Sequence, residues 1–237
     1  MAAVLSLTMT LTMVTPVFAE GETNITPAQT TEVVTPTPTP AQPPKNGLFV
    51  NEGKTYCYKN GKLVKNKYGY KVKKKYYRID KKGVATLVST AEGLAGARLD
   101  KCGGDLKKAF KWSSTKIKYW GSVGKPKKGQ NQVEYYATYG FKNGKGDCYV
   151  MAATFCMMAK VKGYKNVKMV KGTVPQANGK NGAHGWCEIK IGKTVYAYDP
   201  NFAYTYRNNP NVNSGYKFKY GAKGTYKYNE KSTKISF

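Results

Sequence analysis

The sequence predicts an α+β fold, and three observations predict it. Helical signals come first and alternating strand patterns follow. Between them lies a helix that is apolar on nearly every face, which marks the centre of a domain. Hydrophobic residues make up 41% of the 237 positions, enough to build a core and to exclude global disorder. The chain is long enough for one full domain and a small module.

Residues 1–19 read as a secretory signal peptide. Val4 to Phe18 is largely apolar, too short for a comfortable membrane span, and ends in Val17-Phe18-Ala19. The usual positive leader is missing, since no Lys or Arg precedes Lys45. Residues 20–45 are polar and Pro/Thr-rich, with Thr35-Pro36-Thr37-Pro38-Thr39-Pro40, and read as an extended spacer. Export to the extracellular side or the cell wall is therefore expected. Five cysteines in an exported chain leave at least one thiol unpaired within the monomer. That leaves room for up to two disulfides among Cys57, Cys102, Cys148, Cys156 and Cys187 without requiring any.

Residues 46–87 carry a weak repeat. Tyr56-Cys57-Tyr58-Lys59-Asn60-Gly61 is echoed by Tyr76-Tyr77-Arg78-Ile79-Asp80, followed by Gly83. Each unit is an aromatic strand followed by a Gly turn, the pattern of a β-hairpin. The repeat resembles Gram-positive cell-wall-binding repeats over about two units. Those repeats usually build aromatic cages from Trp, and none occurs here.

A third region, 88–237, follows. Ser89-Thr90-Ala91-Glu92 offers a cap for a short helix through Leu99. After Gly103-Gly104, Asp105 caps a second from Leu106 to Trp112. Residues 113–145 are Gly-, Lys- and Tyr-rich and read as mostly loop. The strongest helix runs from Asp147 to Lys160, with Asp147 as N-cap and Gly163 as terminator. Val167–Val174, His184–Ile191 and Val195–Asp199 read as strands. The alternating segments Tyr216–Tyr220 and Thr225–Tyr228 read as further strands.

The chemistry concentrates in three residues of this region. Cys148 falls on the first turn of the apolar helix. There the helix dipole and unpaired N–H groups favour a thiolate and could hold an oxyanion. Cys156, two turns deeper, reads as an inert core thiol. His184 is the only histidine, so a histidine base must be this one. If Gly192-Lys193 is a two-residue turn, Trp186 pairs with Asp199. His184 then lies diagonal to Asp199 on the same face, about 7–8 Å away by Cα. A three-residue turn would put Asp199 on the other face. Asp199 would hold the imidazole and stabilise its charged form. Glu188 shares the face but lies beyond Trp186. Trp120 and Tyr136 are weaker candidates near an oxyanion.

Together, Gly146-Asp147-Cys148, His184-Gly185-Trp186-Cys187-Glu188-Ile189 and Tyr198-Asp199-Pro200 resemble the transglutaminase-like (transglutaminase/protease) superfamily across roughly 88–205. The resemblance implies a papain-like core, with Cys148 as nucleophile, His184 as base and Asp199 as orienting carboxylate. Gly185 stands where the family usually has Ala, and Asn201 where Thr or Ser is frequent. The expected function is a secreted cysteine acyl-transfer enzyme acting on a protein or peptide through a thioester, with an amine or water as acceptor. The alternative is a non-catalytic wall- or polyanion-binding protein.

The remaining composition narrows partners. Lys and Arg number 40 against 13 Asp and Glu, but only Arg78, Arg98 and Arg207 are arginines. Arg poverty and export disfavour nucleic acid as a partner. A diffuse Lys coat suits an anionic wall. No cofactor or metal is implied. There is no CxxC pair, one His, and no acidic cluster of the kind a calcium site needs.

Overall fold

A computed structural model describes residues 42–229 and 232–237. The expected signal peptide and almost all of the spacer lie outside the described residues. No helix among the described residues is long and apolar enough to cross a membrane.

The chain begins with two small antiparallel meanders. The first joins β1 (Gly47–Asn51), β2 (Lys54–Lys59) and β3 (Lys62–Leu63), and the second joins β4 (Lys67–Val72), β5 (Lys75–Ile79) and β6 (Ala85–Val88). Asn60 and Gly61, both at positive φ, turn β2 into β3, as the hairpin reading requires. The echoed positions Cys57 and Tyr77 are both buried, in one small core with Ile79 and Ala85.

The second meander lies directly on the first helix, α1 (Thr90–Lys101). A Cβ on Gly69 would meet the carbonyl oxygen of Gly93 at 2.2 Å, and one on Gly96 would meet that of Tyr68 at 2.2 Å. Glycine on both sides lets the strand backbone touch the helix backbone. The N–H groups of Tyr68 and Gly69 then donate to the Asp100 carboxylate at 3.2 Å each. The expected cap on α1 is a capping box between Ser89 and Glu92.

α2 (Leu106–Lys116) follows, capped by Asp105, and then β7 (Lys118–Tyr119). The expected loop over 113–145 is corrected here, because it contains a three-turn helix, α3 (Gln132–Asn143). Asn131 caps it and Gly144 ends it in the left-handed region. Its buried residues Val133, Tyr136, Ala137 and Gly140 fall at helical spacing. Gly140 is there for close packing, since a Cβ would meet Val150 and Thr154 of the next helix within 2.7 Å.

β8 (Lys145–Gly146) pairs in parallel with β7 and leads into α4 (Cys148–Lys162). This is the central helix. Twelve of its residues are buried, and α1, α2 and α3 pack around it. Phe155 meets Phe110 edge-on at 5.3 Å on the helix side and Tyr198 at 5.1 Å on the sheet side. Gly163, at φ 113°, terminates it as expected.

The sheet is four-stranded and antiparallel. β9 (Val167–Pro175), β10 (Asn181–Ile191) and β11 (Thr194–Tyr198) are the three strands expected from sequence. After α5 (Pro200–Thr205) comes β12 (Thr233–Ile235), giving the order β11-β10-β9-β12. The tail is a second correction. Tyr216–Tyr220 and Thr225–Tyr228 are not strands. A single bridge, Ala197 with Phe218, ties this segment to β11, and its tyrosines pack against the sheet as side chains.

Candidate active site

The site begins where β8 becomes α4. The Asp147 carboxylate accepts a hydrogen bond from the Val150 N–H at 3.0 Å and so starts the helix. Desolvation pushes the Asp147 carboxyl up, against the pull of the backbone N–H groups it accepts. Cys148 is then the first helical residue. It is 7% exposed and opens on a cleft of about 420 Å³.

The imidazole arrives from β10. The turn between β10 and β11 is the two-residue one, with Ile191 opposite Thr194 and Gly192 at φ 59°. Pairing continues to Cys187 opposite Tyr198, so the next step sets Trp186 against Asp199. His184 and Asp199 meet as diagonal neighbours, with Nε2 of His184 2.6 Å from Oδ2 of Asp199. Both are buried, His184 at 4% and Asp199 at 0% exposure. The ring is stacked on Trp186 at 6.1 Å and meets the edge of Tyr226 at 5.7 Å. With Nε2 engaged by Asp199, Nδ1 is the remaining ring nitrogen, and Cys148 and His184 line the same cleft.

Electrostatics follow from this geometry. Burial alone would lower the pKa of His184. The charge and hydrogen bond of Asp199, with a smaller contribution from Cys148, outweigh burial and push it up to about 10. The ring is therefore held in its charged form across the neutral range.

Asp199 is fully occupied. Its Oδ1 accepts from the Phe202 N–H at 2.9 Å, which caps α5. Its Oδ2 accepts from the Tyr228 hydroxyl at 2.8 Å as well as from His184. One carboxylate thus both caps α5 and meets the imidazole.

Other candidates are placed less centrally. Glu188 is buried on the far side of Trp186, where it accepts from the Tyr220 hydroxyl and from Lys234 Nζ at 2.8 Å. Trp186 donates to the same Tyr220 hydroxyl at 2.6 Å. Trp120 is 59% exposed beneath Lys145, and the Tyr136 hydroxyl donates to the Gly124 carbonyl at 3.4 Å. Neither lines the cleft. Tyr119, one residue before Trp120, does, along with Gln176, Asn201 and Tyr204. All five cysteines are free thiols. No group of three or more His, Cys, Asp or Glu among the described residues is arranged to hold a metal.

Sequence reasoning missed Tyr119, Tyr226 and Tyr228. The signal for the last two was present as alternating tyrosines. Alternation reads as strand, and so as sheet surface, whereas the two side chains are directed at the same site.

The model of the transglutaminase-like superfamily matches residues 88–200, a span that contains Cys148, His184 and Asp199. No curated protein matches the chain significantly. The matched span runs from the last residue of β6 through the helices α1–α4 and the strands β7–β11 to the first residue of α5. Residues 88–200 of this chain are a domain of the transglutaminase-like superfamily.

Proposed function

We propose that this protein is a secreted, cysteine-dependent acyl-transfer enzyme. Cys148 Sγ attacks the carbonyl carbon of a carboxamide or peptide bond and forms a carbon–sulfur bond. The imidazolium of His184 gives its proton to the departing ammonia or amine as the carbon–nitrogen bond breaks. Asp199 holds the ring in place and stabilises it while charged. The Cys148 backbone N–H, first on α4, is the donor for the oxyanion. An amine or water then attacks the thioester, His184 takes its proton, and the thiolate leaves. Protein cross-linking and peptide or amide hydrolysis share every step but the last.

One observation carries the reading. The only imidazole in the chain is buried against a buried carboxylate at 2.6 Å, beside a cysteine at a helix start, over an open cleft. The meanders of residues 46–87 and the Lys coat act outside the cleft and dock the enzyme on an anionic cell wall.

Incubation with a Gln-containing peptide, with and without a labelled primary amine, tests the proposal. An acyl adduct on Cys148 by mass spectrometry, lost in Cys148→Ala, is the expected result. Amine incorporation then marks a transferase, and ammonia or amine release without incorporation marks a hydrolase. No adduct with any amide donor, alongside intact wall binding, would favour the non-catalytic alternative.

A further inference from the structure

The C-terminal segment contributes a side chain to the His184–Asp199 pair from outside the span that matches the family. The Tyr228 hydroxyl donates to Oδ2 of Asp199 at 2.8 Å, and His184 Nε2 approaches that same atom at 2.6 Å. The other carboxylate oxygen is engaged by the Phe202 N–H. Tyr228 is 9% exposed and its ring is fixed against Trp186 at 4.9 Å and Phe218 at 5.6 Å. The hydroxyl therefore has little freedom to leave the carboxylate.

We propose that Tyr228 is a positioning residue that limits how tightly Asp199 holds the proton of His184. This rests on the acyl-transfer reading for its role in turnover, though not for its effect on the imidazole. Two donors on one oxygen weaken each other. When His184 is charged it draws on the Oδ2 charge and the tyrosine bond is weaker. When His184 is neutral the carboxylate charge is bare and the tyrosine bond is stronger. Tyr228 thus favours the neutral ring and lowers the pKa of His184 from the value Asp199 alone would impose. A base that must also release its proton to a leaving amine benefits from that limit.

The groups facing His184 are few. Asp199 approaches from the end of β11, Cys148 from α4, and Tyr226 and Tyr228 from the C-terminal segment. Burial, followed by the charge and hydrogen bond of Asp199, pushes the Tyr228 hydroxyl far up. It therefore remains a donor at any working pH. Tyr226 is also pushed up, first by burial and then by its bond to Tyr206, and stays neutral as well. Neither tyrosine titrates in the range where His184 does.

The full chain has one histidine, so its imidazole resonances need no assignment. In Tyr228→Phe the His184 midpoint is expected to rise by about half a unit or more. Its Nε2 proton should move downfield as the bond to Asp199 tightens. kcat should fall about three- to tenfold with KM little changed. Replacing Tyr228 with 3-fluorotyrosine strengthens the donor and keeps the ring. It is expected to shift the midpoint the opposite way, which decides the matter if the Phe variant folds poorly. A midpoint that stays put or falls in folded Tyr228→Phe, or that does not fall with fluorotyrosine, overturns the proposal. If the shifts occur in a chain that never forms an acyl-enzyme, the acyl-transfer reading fails and the coupling of Tyr228 to His184 stands.

Discussion

Gly185 lies so close to Tyr149 that a Cβ on the glycine would meet the ring Cδ1 at 2.5 Å and the Tyr149 Cα at 3.2 Å. Each residue follows one of the proposed catalytic pair in sequence, Gly185 after His184 and Tyr149 after Cys148. The strand carrying the imidazole and the helix carrying the sulfur therefore touch at backbone distance, one residue along from His184 and Cys148. Tyr149 is held in turn by Tyr136, with ring centroids 5.8 Å apart, and by Lys171 Nζ at 4.9 Å over its face. The ring cannot swing aside freely, which accounts for glycine where the superfamily usually has alanine.

Gly185→Ala is accordingly expected to cost about 1–3 kcal/mol by overpacking, and to reduce activity more than stability by moving His184 off the sulfur. Tyr149→Ala in the same chain should restore much of the stability. Denaturant unfolding of the single and double variants measures both effects. A neutral Gly185→Ala would mean that α4 and β10 have slack between them.

Asp199 serves two structures with two oxygens, and two substitutions separate them. Asn can still cap α5 through its side-chain oxygen but presents no charge to the imidazolium. Asp199→Asn should lower kcat about a thousandfold or more and lose the stabilisation of the charged imidazole while keeping the cap. Asp199→Ala should lose the same activity and also about 1 kcal/mol of cap stability. Equal stability in the two variants would show that the bond to the Phe202 N–H contributes nothing.

The His184 shift ties stability to pH. Its folded pKa, about 10, lies above the 6.5 of a free imidazole. The stabilisation this represents is fully present below about pH 6.5 and is lost progressively as pH rises through about 10. Its size is on the order of a few kcal/mol. The stability difference between the native chain and His184→Gln should shrink across that window. The imidazole NMR signal should show the ring protonated well above neutrality. A midpoint near 6.5 would mean that the ring does not interact with Asp199 in solution.

Much of this site was legible because it depends on local rules. Asp147 and Gly163 bound α4 by capping chemistry, and the length of one turn at Gly192-Lys193 set the face on which Asp199 lies. The helix over Gln132–Asn143 was hidden by its residue types. Tyr, Gly and Asn weaken helix propensity, and only the spacing of Val133, Tyr136, Ala137 and Gly140 revealed the buried stripe. Tyr228 was illegible for a different reason. Its partner is 29 residues away across a segment without regular structure, and no period reports such a contact.

Gly69 and Gly96 lead to a last expectation, about the joint between residues 46–87 and the helices. β4 lies on α1 with both backbones in contact and with Asp100 accepting from two strand N–H groups. α1 packs in turn on α4, the helix that begins with Cys148. A side chain at position 96 would have to push a carbonyl away from the helix, a movement the backbone resists more than a flexible side chain would. Gly96→Val should therefore cost several kcal/mol and lower the melting temperature of the whole chain in a single transition. Removal of residues 42–87 would bare the α1 face and orphan one end of Asp100, and should destabilise the remaining domain in the same way. If the truncated chain instead melts at the temperature of the full one, the meanders are an appendage after all, and Gly69 and Gly96 mark contact without coupling.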